Sequence, residues 1–275
     1  MKTKELNILT LLSVMLAVIL AVVSFFGIFV PGTYARETAS MAAQGIGQDI
    51  FNLFFIVPLF LVSVLVLRRK SVPAFYVFGG IVFYILYSFV IYCFGVHFNS
   101  MFLLYCVTLG LATYLFIIFL HVSGNLDVRS WYDDLTPKRT TGIYIIVVSL
   151  LFYVLWMKDI IPAIIKNDVP ASVSDFNLLV NPVHVIDISF VLPGLIISAV
   201  LLMKKSNLGY ILGPISLVFI IILAIALAMM VIMMKVKGIS EEASVIGIFV
   251  FLAFVSLIFL ILFFMRIKRW SFADG

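Results

Sequence analysis

The amino-acid sequence predicts an all-α integral membrane protein, a helical bundle of about eight transmembrane helices. Of its 275 residues, 64% are hydrophobic and only 11% are charged, against roughly 25% charged residues in a soluble domain. A mean hydropathy of +1.27 means that apolar side chains must surround whole helices. Because lipid tolerates such helices and water does not, a soluble fold is excluded.

Apolar stretches long enough to cross a bilayer, which takes about 20 residues, occur along the whole chain. The predicted spans cover residues 6–30, 50–67, 74–95, 101–120, 141–157, 184–203, 211–234 and 244–265. The fifth span is short, but the apolar residues 160–165 follow it, so it either continues or lies along the membrane interface. The first span exceeds the roughly 7 to 15 apolar residues of a signal peptide, and we interpret it as a retained helix.

The basic residues predict the orientation of the chain. If the N-terminus is cytoplasmic, thirteen of the eighteen Lys and Arg residues fall in cytoplasmic segments. Because cytoplasmic loops accumulate these residues, the sequence predicts a multi-pass protein of the cell (cytoplasmic) membrane with both termini in the cytoplasm and the lipid bilayer as its partner. The basic residues form short clusters and no continuous patch, so nucleic acid is not an expected partner.

The sequence also predicts an internal repeat. A shift of 135 residues aligns residues 58–71 with 193–206 without a gap and pairs Pro58 with Pro193. The predicted halves, which together form one membrane domain, are residues 1–135 and 136–275. Since each half would contain four helices, the halves would be parallel, related by an axis along the membrane normal. Each proline lies inside a predicted helix, where its missing N–H favours a bend or a hinge.

The same alignment places two polar residues at the outer end of one helix in each half. Asp49 and Asn52 correspond to His184 and Asp187, and the members of each pair lie three residues apart on one helix face. For Asp49 and Asn181 we prefer the interpretation that they cap helix N-termini. Asp187 differs, because it lies some six residues and roughly 9 Å past the cap. A carboxylate at that depth needs a partner, a cavity or a proton.

The tight outer connection between the third and fourth helices adds His97 and Asn99. The predicted ligand-binding residues are Asp49, Asn52, His97, Asn99, His184 and Asp187. Among them His97, His184 and Asp187 are candidate ligands for a divalent metal, since imidazole and carboxylate groups suit Zn²⁺, Mn²⁺ or Fe²⁺. Their spacing matches no diagnostic metal motif, and a solvated side chain is the alternative for His97.

Two other residue types have expected positions near the helix ends. Cys93 and Cys106 are predicted to be buried free thiols, with a disulfide as the alternative. Trp131, Trp156 and Trp270 lie near predicted membrane boundaries, where tryptophan side chains commonly act as interfacial anchors.

Three of these segments carry a resemblance to a known family. They are Gly47-Gln48-Asp49, Phe94-Gly95-Val96-His97-Phe98-Asn99 and Asn181-Pro182-Val183-His184-Val185-Ile186-Asp187. Over most of its length the chain resembles an uncharacterised family of prokaryotic polytopic membrane proteins. The resemblance implies the membrane architecture, and it implies no activity, cofactor or ligand.

Three functions fit the sequence. The leading hypothesis is a non-enzymatic membrane protein that binds or moves a small polar solute or ion at a site open to the extracytoplasmic face. Paired polar residues and proline-interrupted helices of the kind that transporters use support it. One alternative is a metal-dependent membrane-embedded hydrolase or lipid-modifying enzyme, with Asp49 as its general base. The other is an accessory or scaffold subunit with a membrane-protein partner. An enzyme is the less favoured reading, since the chain contains no phosphate-binding or nucleophile-elbow motif.

Overall fold

The computed structural model describes residues 1–239, 243–268 and 271. About 80% of the chain is helical, and the described residues form no β-strand. Eight helices within the described residues are long and apolar enough to cross a membrane, which confirms the predicted fold class. They are α1 Thr3–Phe29, α2 Ala39–Leu67, α3 Val72–Gly95, α4 Phe102–Gly124, α5 Lys138–Lys166, α6 Pro182–Met203, α7 Asn207–Val236 and α8 Ala243–Phe264.

The helices alternate in direction, so the bundle has two ends. We call proximal the end that carries the N-terminus, the segment after α8, and the connections 68–71, 125–137 and 204–206. The distal end carries the connections 30–38, 96–101 and 167–181. At the proximal end the N–H of Lys268 donates to the carbonyl of Trp131 at 2.8 Å, which holds the segment after α8 against the connection 125–137.

Helix α7 lies at the centre of the bundle and packs against α2, α3, α6 and α8. Two glycines allow its close contact with α3. A Cβ at Gly80 would lie 2.4 Å from Cγ1 of Val218, and a Cβ at Gly79 would lie 2.9 Å from Cδ1 of Ile215. Small residues at such contacts let membrane helices approach closely enough for van der Waals attraction to hold them together.

Helix α2 starts at Ala39 and not near residue 50, as the sequence predicted. Residues 39–49 are helical, but their Ala, Gly and polar side chains are not apolar enough to extend the hydropathy pattern. Helix α5 continues to Lys166, as the apolar residues 160–165 allowed.

The earlier start of α2 changes the interpretation of Asp49. Thr38 caps α2 by accepting the N–H of Met41 at 3.3 Å, so Asp49 lies well inside the helix and its predicted capping role is wrong. Asn181 does cap α6, because its side chain accepts the N–H of Val183 at 2.9 Å.

Helices α2 and α6 each contain one turn of π-helix directly before a proline. In α2 it covers Asn52–Ile56 ahead of Pro58, and in α6 it covers Asp187–Val191 ahead of Pro193. The N–H of the residue before each proline bonds to the carbonyl five residues earlier, which belongs to the first residue of the π segment. Proline has no N–H to donate, and the wider turn shifts the backbone hydrogen bond of the residue before it from the carbonyl four residues earlier to the carbonyl five residues earlier. Each wide turn therefore begins at one of the polar residues that the sequence singled out.

The two π segments are separated by the 135 residues of the predicted repeat. Lys70 and Lys205 lie in the connections that follow α2 and α6. They have the same separation, and both have a left-handed backbone with φ of 57°. These local matches agree with the repeat, which stays a prediction of the sequence.

The cysteines and tryptophans depart in part from their expected positions. Cys93 and Cys106 are free thiols, but Cys93 is only half-buried and Cys106 is exposed, so the prediction of two buried thiols is wrong. Trp131 is buried and packs edge-on against Phe75 with ring centroids 5.4 Å apart, so it belongs to the core and is no exposed anchor. Trp270 lies outside the described residues.

The junction of α6 and α7 gives a direct test of this packing. A Cβ at Gly209 would lie 2.3 Å from the backbone carbonyl carbon of Leu201. We expect Gly209→Ala to lower the free energy of unfolding by about 1 to 3 kcal/mol, the usual cost of overpacking, because the backbone of α6 must move. Gly110 is the control, since nothing lies within 4 Å of its Cβ position. Thermal unfolding in detergent measures both variants, and equal melting temperatures for Gly209→Ala and Gly110→Ala would contradict the packing.

Candidate functional site

Two carboxylates are buried in the distal half of the bundle. Asp49 on α2 is 0% exposed and Asp187 on α6 is 5% exposed. A carboxylate at such a position is costly unless hydrogen-bond donors or charges surround it. In both cases aromatic side chains supply the donors, and neither carboxylate forms an ion pair with a basic side chain among the described residues.

Asp49 accepts hydrogen bonds from two phenols. The hydroxyl of Tyr34 donates to Oδ2 at 2.5 Å, and the hydroxyl of Tyr92 donates to Oδ1 at 3.0 Å. Burial raises the pKa of the Tyr34 hydroxyl well above its usual range, so this group keeps its proton and stays a donor. Gly27 on α1 leaves room for the carboxylate, because a Cβ there would lie 1.7 Å from Oδ2.

Asp187 accepts a hydrogen bond from Nε1 of Trp156 at 2.9 Å, and the hydroxyl of Tyr87 interacts with the same carboxylate. Trp156 was predicted to be an interfacial anchor, but its indole N–H is turned toward the bundle interior. His184 lies against the indole, with ring centroids 4.7 Å apart. Its Nε2 is buried without a hydrogen-bond partner among the described residues.

Asn52 is also bound to a phenol, since Tyr84 donates to its Oδ1 at 3.0 Å. The amide nitrogen of Asn52 is buried and has no hydrogen-bond partner within the described part of the chain. The polar residue that opens each π segment therefore accepts from an aromatic donor on another helix: Asn52 accepts from Tyr84 on α3, and Asp187 accepts from Trp156 on α5.

The connection between α3 and α4 forms a separate polar group. The backbone N–H of His97 donates to Oε1 of Glu37 at 2.6 Å, and its ring Nδ1 lies 2.9 Å from Oε2. The side chain of Glu37 is only 2% exposed. Asn99 donates to the hydroxyl of Tyr105 at 3.2 Å, and the Tyr105 ring lies edge-on to Tyr92, 5.2 Å between centroids. Through Tyr105, this connection therefore contacts Tyr92, one of the two phenols that bind Asp49.

A cavity of about 200 Å³ lies between these groups, with walls from α2, α3, α5, α6, α7 and α8. Its two acidic residues are Glu37 and Asp187, and its amides belong to Gln44, Gln48 and Asn181. Its polar aromatic residues are Tyr34, Tyr87, Tyr92 and Trp156. No Lys, Arg or His side chain belongs to this described lining, although His97 pairs with Glu37 behind it. Asp187 is therefore the lining carboxylate that has no ion-pair partner among the described residues.

The predicted site residues thus stand at different distances from one cavity. Asp187 lines it, and Asp49 lies one hydrogen bond behind the lining phenols of Tyr34 and Tyr92. His184 lies behind Trp156, whereas Asn52 is bound by Tyr84, which does not line the cavity. His97 and Asn99 belong to the covering connection.

Sequence reasoning missed Tyr34, Glu37, Gln44 and Trp156 as site residues. The first two lie in the connection 30–38, where the sequence shows an ordinary polar loop. Gln44 lies in the part of α2 that the hydropathy pattern left out. The only available signal was compositional, because a buried carboxylate needs donors and the nearby sequence is rich in tyrosine.

The structure does not assemble the predicted metal site. Among the described residues, no group of three or more His, Cys, Asp or Glu side chains is placed to hold a metal ion. His97 pairs with Glu37, whereas Asp187 is bound by Trp156, and His184 stacks on that same indole. The set His97, His184 and Asp187 is therefore not supported as a ligand set, and the metal-dependent enzyme built on it loses its structural basis.

Comparison of the chain with protein-family models, with curated proteins and with solved structures gave no match.

The hydrogen bond between Tyr34 and Asp49 can be tested by a double-mutant cycle. We expect Tyr34→Phe to lower the free energy of unfolding by about 1.5 to 3 kcal/mol, the range for hydrogen bonds to charged groups. In an Asp49→Asn background the cost should fall to about half, because a neutral acceptor binds the phenol more weakly. Thermal unfolding in detergent measures the four proteins.

Tyr114→Phe is the matched control, because Tyr114 is 68% exposed on α4 and its loss should leave stability unchanged. A Tyr34→Phe effect that is the same in both backgrounds would show that the two residues are not coupled.

Proposed function

We propose that this chain is a multi-pass protein of the cytoplasmic membrane that binds a small organic cation in its distal cavity. The observation that carries the proposal is the cavity lining, which combines Asp187 and Glu37 with several aromatic rings and contains no basic side chain among the described residues. Carboxylates attract a cation, and the faces of Trp and Tyr rings stabilise it further, by about 0.5 to 2 kcal/mol per contact.

The proposed orientation rests on charge. Twelve of the eighteen Lys and Arg residues of the chain are described residues at or next to the proximal end. Since basic residues accumulate on the cytoplasmic side, the proximal end would be cytoplasmic. The cavity would then face the extracytoplasmic side, covered by the connections 30–38 and 167–181.

The surroundings of Asp187 favour binding over transport. On the proximal side of the carboxylate lies a void of about 20 Å³, walled by apolar side chains such as Val148, Leu195 and Phe219. Asp187 is the one polar residue of that described wall. A cation moving into this described void would leave behind the amides and Glu37 of the cavity lining, and a charge with few partners in such surroundings is costly. The described conformation therefore supports binding without a polar path toward the proximal end.

The predicted duplication gives the site a simple origin. The first half contributes α2 and α3 to the cavity, and the second half contributes α5, α6, α7 and α8. If the halves are related as proposed, Asp187 and Asn52 occupy equivalent positions, each at the start of a π segment. Only the second half would then carry a carboxylate at that position.

Titration calorimetry in lipid nanodiscs tests the proposal, with tetramethylammonium as the probe. We expect the wild-type protein to bind this cation, and Asp187→Asn to weaken binding by about tenfold or more, which corresponds to about 1.4 kcal/mol. Glu37→Gln, at the second acidic lining residue, should weaken it in the same direction.

Asp168→Asn is the control, since Asp168 is an exposed carboxylate at the same end of the bundle. It should leave the affinity unchanged. Absence of tetramethylammonium binding, or an equal loss in Asp168→Asn, would contradict a cation site in this cavity.

A further inference from the structure

We propose that the bound cation is an amphiphile from the bilayer, a single-chain ammonium compound whose head occupies the distal cavity and whose hydrocarbon tail lies in a groove between α3 and α6. This inference rests on the proposed function, because it assigns the cationic head to the site described above.

The groove is the larger of the two spaces. Its volume is about 820 Å³, within the roughly 300 to 1,000 Å³ typical of sites for small organic ligands. Phe83, Val90 and Phe94 form its wall on α3, and Val185, Ile186 and Phe190 form its wall on α6. Residues 177–180 cover its distal end. Its polar side chains include His97 and Asn177, which belong to the distal connections, so a hydrocarbon chain would meet mainly apolar side chains in the rest of the groove.

The groove lies on a flank of the bundle that an apolar molecule reaches from the membrane. Phe94 and Phe190 are each 74% exposed, and Val185 is 54% exposed. These residues belong to membrane-spanning helices, so their exposed faces adjoin lipid. A tail could therefore enter sideways from the bilayer without crossing water.

The groove and the cavity adjoin each other. Tyr87, Val96, Leu178 and Pro182 line both spaces. Tyr87 marks the boundary, because its side chain lines the groove while its hydroxyl interacts with Asp187. Gly95 keeps the two helices close there, since a Cβ at Gly95 would lie 2.7 Å from Cγ of Pro182. A molecule with a polar head and an apolar tail would span the two spaces past the Tyr87 side chain.

The chemistry of the two spaces selects the ligand class. The cavity is acidic and aromatic, which favours an ammonium head and disfavours a phosphate or sulfate head. The groove is apolar, which favours an alkyl tail. A water-soluble cation would use only the smaller space.

Calorimetry in nanodiscs tests the inference with a series of alkyltrimethylammonium probes, from tetramethylammonium through butyl- to octyltrimethylammonium. Heats from empty nanodiscs are subtracted to remove partition into lipid. We expect the octyl probe to bind the wild-type protein about tenfold more tightly than tetramethylammonium or better, because its methylene groups become buried in the groove. Octyl sulfate, which has the same tail and an anionic head, should not bind.

Variants that fill the groove distinguish the contribution of the tail to the affinity from the contribution of the head. We expect Val185→Trp to remove the gain from the longer tail and to leave the affinity for tetramethylammonium unchanged, since Val185 lines only the groove. Val180→Trp, at the cover of the groove and 63% exposed, is a second groove-filling variant with the same expectation. Leu103→Trp, at a residue 74% exposed on α4, is the matched control and should keep the full gain.

The outcomes separate the two proposals. Tetramethylammonium binding with no gain from longer tails, or a gain that survives both groove-filling variants, would overturn the amphiphile and leave the cation site intact. Octyl sulfate binding as tightly as the octyl cation would also overturn it. Failure of every cationic probe to bind would instead remove the proposed function itself.

Discussion

The cost of burying carboxylates inside an apolar bundle shapes the distal half of this protein. Asp49 and Asp187 are buried in membrane-spanning helices, where a charge without partners is unstable. Tyr34 and Tyr92 bind the first carboxylate, and Trp156 binds the second. The connection 30–38, the end of α3 and the distal part of α5 therefore take positions that bring these donors together.

The two carboxylates differ in their access to the cavity, and this difference defines the site. Asp49 is fully enclosed and held from two sides, so its main effect is to fix the phenols that line the cavity. Asp187 interacts with Trp156 and Tyr87 and, unlike Asp49, lines the cavity itself. The π turns contribute to this arrangement, because each begins at a polar residue and widens the helix there. Widened turns of this kind often mark functional positions in α-helices.

Sequence alone predicted the eight spans, since long apolar runs with few charges have one common explanation. It also identified Asp187, because depth past a helix cap can be counted from the residues. It misjudged Asp49, since the Ala-rich and Gly-rich start of α2 does not register as apolar. The partners of both acids could not be predicted: Tyr34 and Trp156 lie 15 and 31 residues from the carboxylates that they bind, and only the packing of helices brings them together.

The central proposal is that Asp187 reaches a water-accessible cavity and that this end of the bundle is extracytoplasmic. The direct measurement is cysteine accessibility: residue 187 is replaced by Cys in a chain without Cys93 and Cys106, and intact cells are treated with a small, cationic, membrane-impermeant methanethiosulfonate. The account predicts modification from outside, whereas Cys at residue 197, which is 57% exposed farther along the same helix, stays unmodified because lipid keeps its thiol protonated. Modification at 187 only after permeabilisation, or none where extracytoplasmic loop cysteines react, would contradict it.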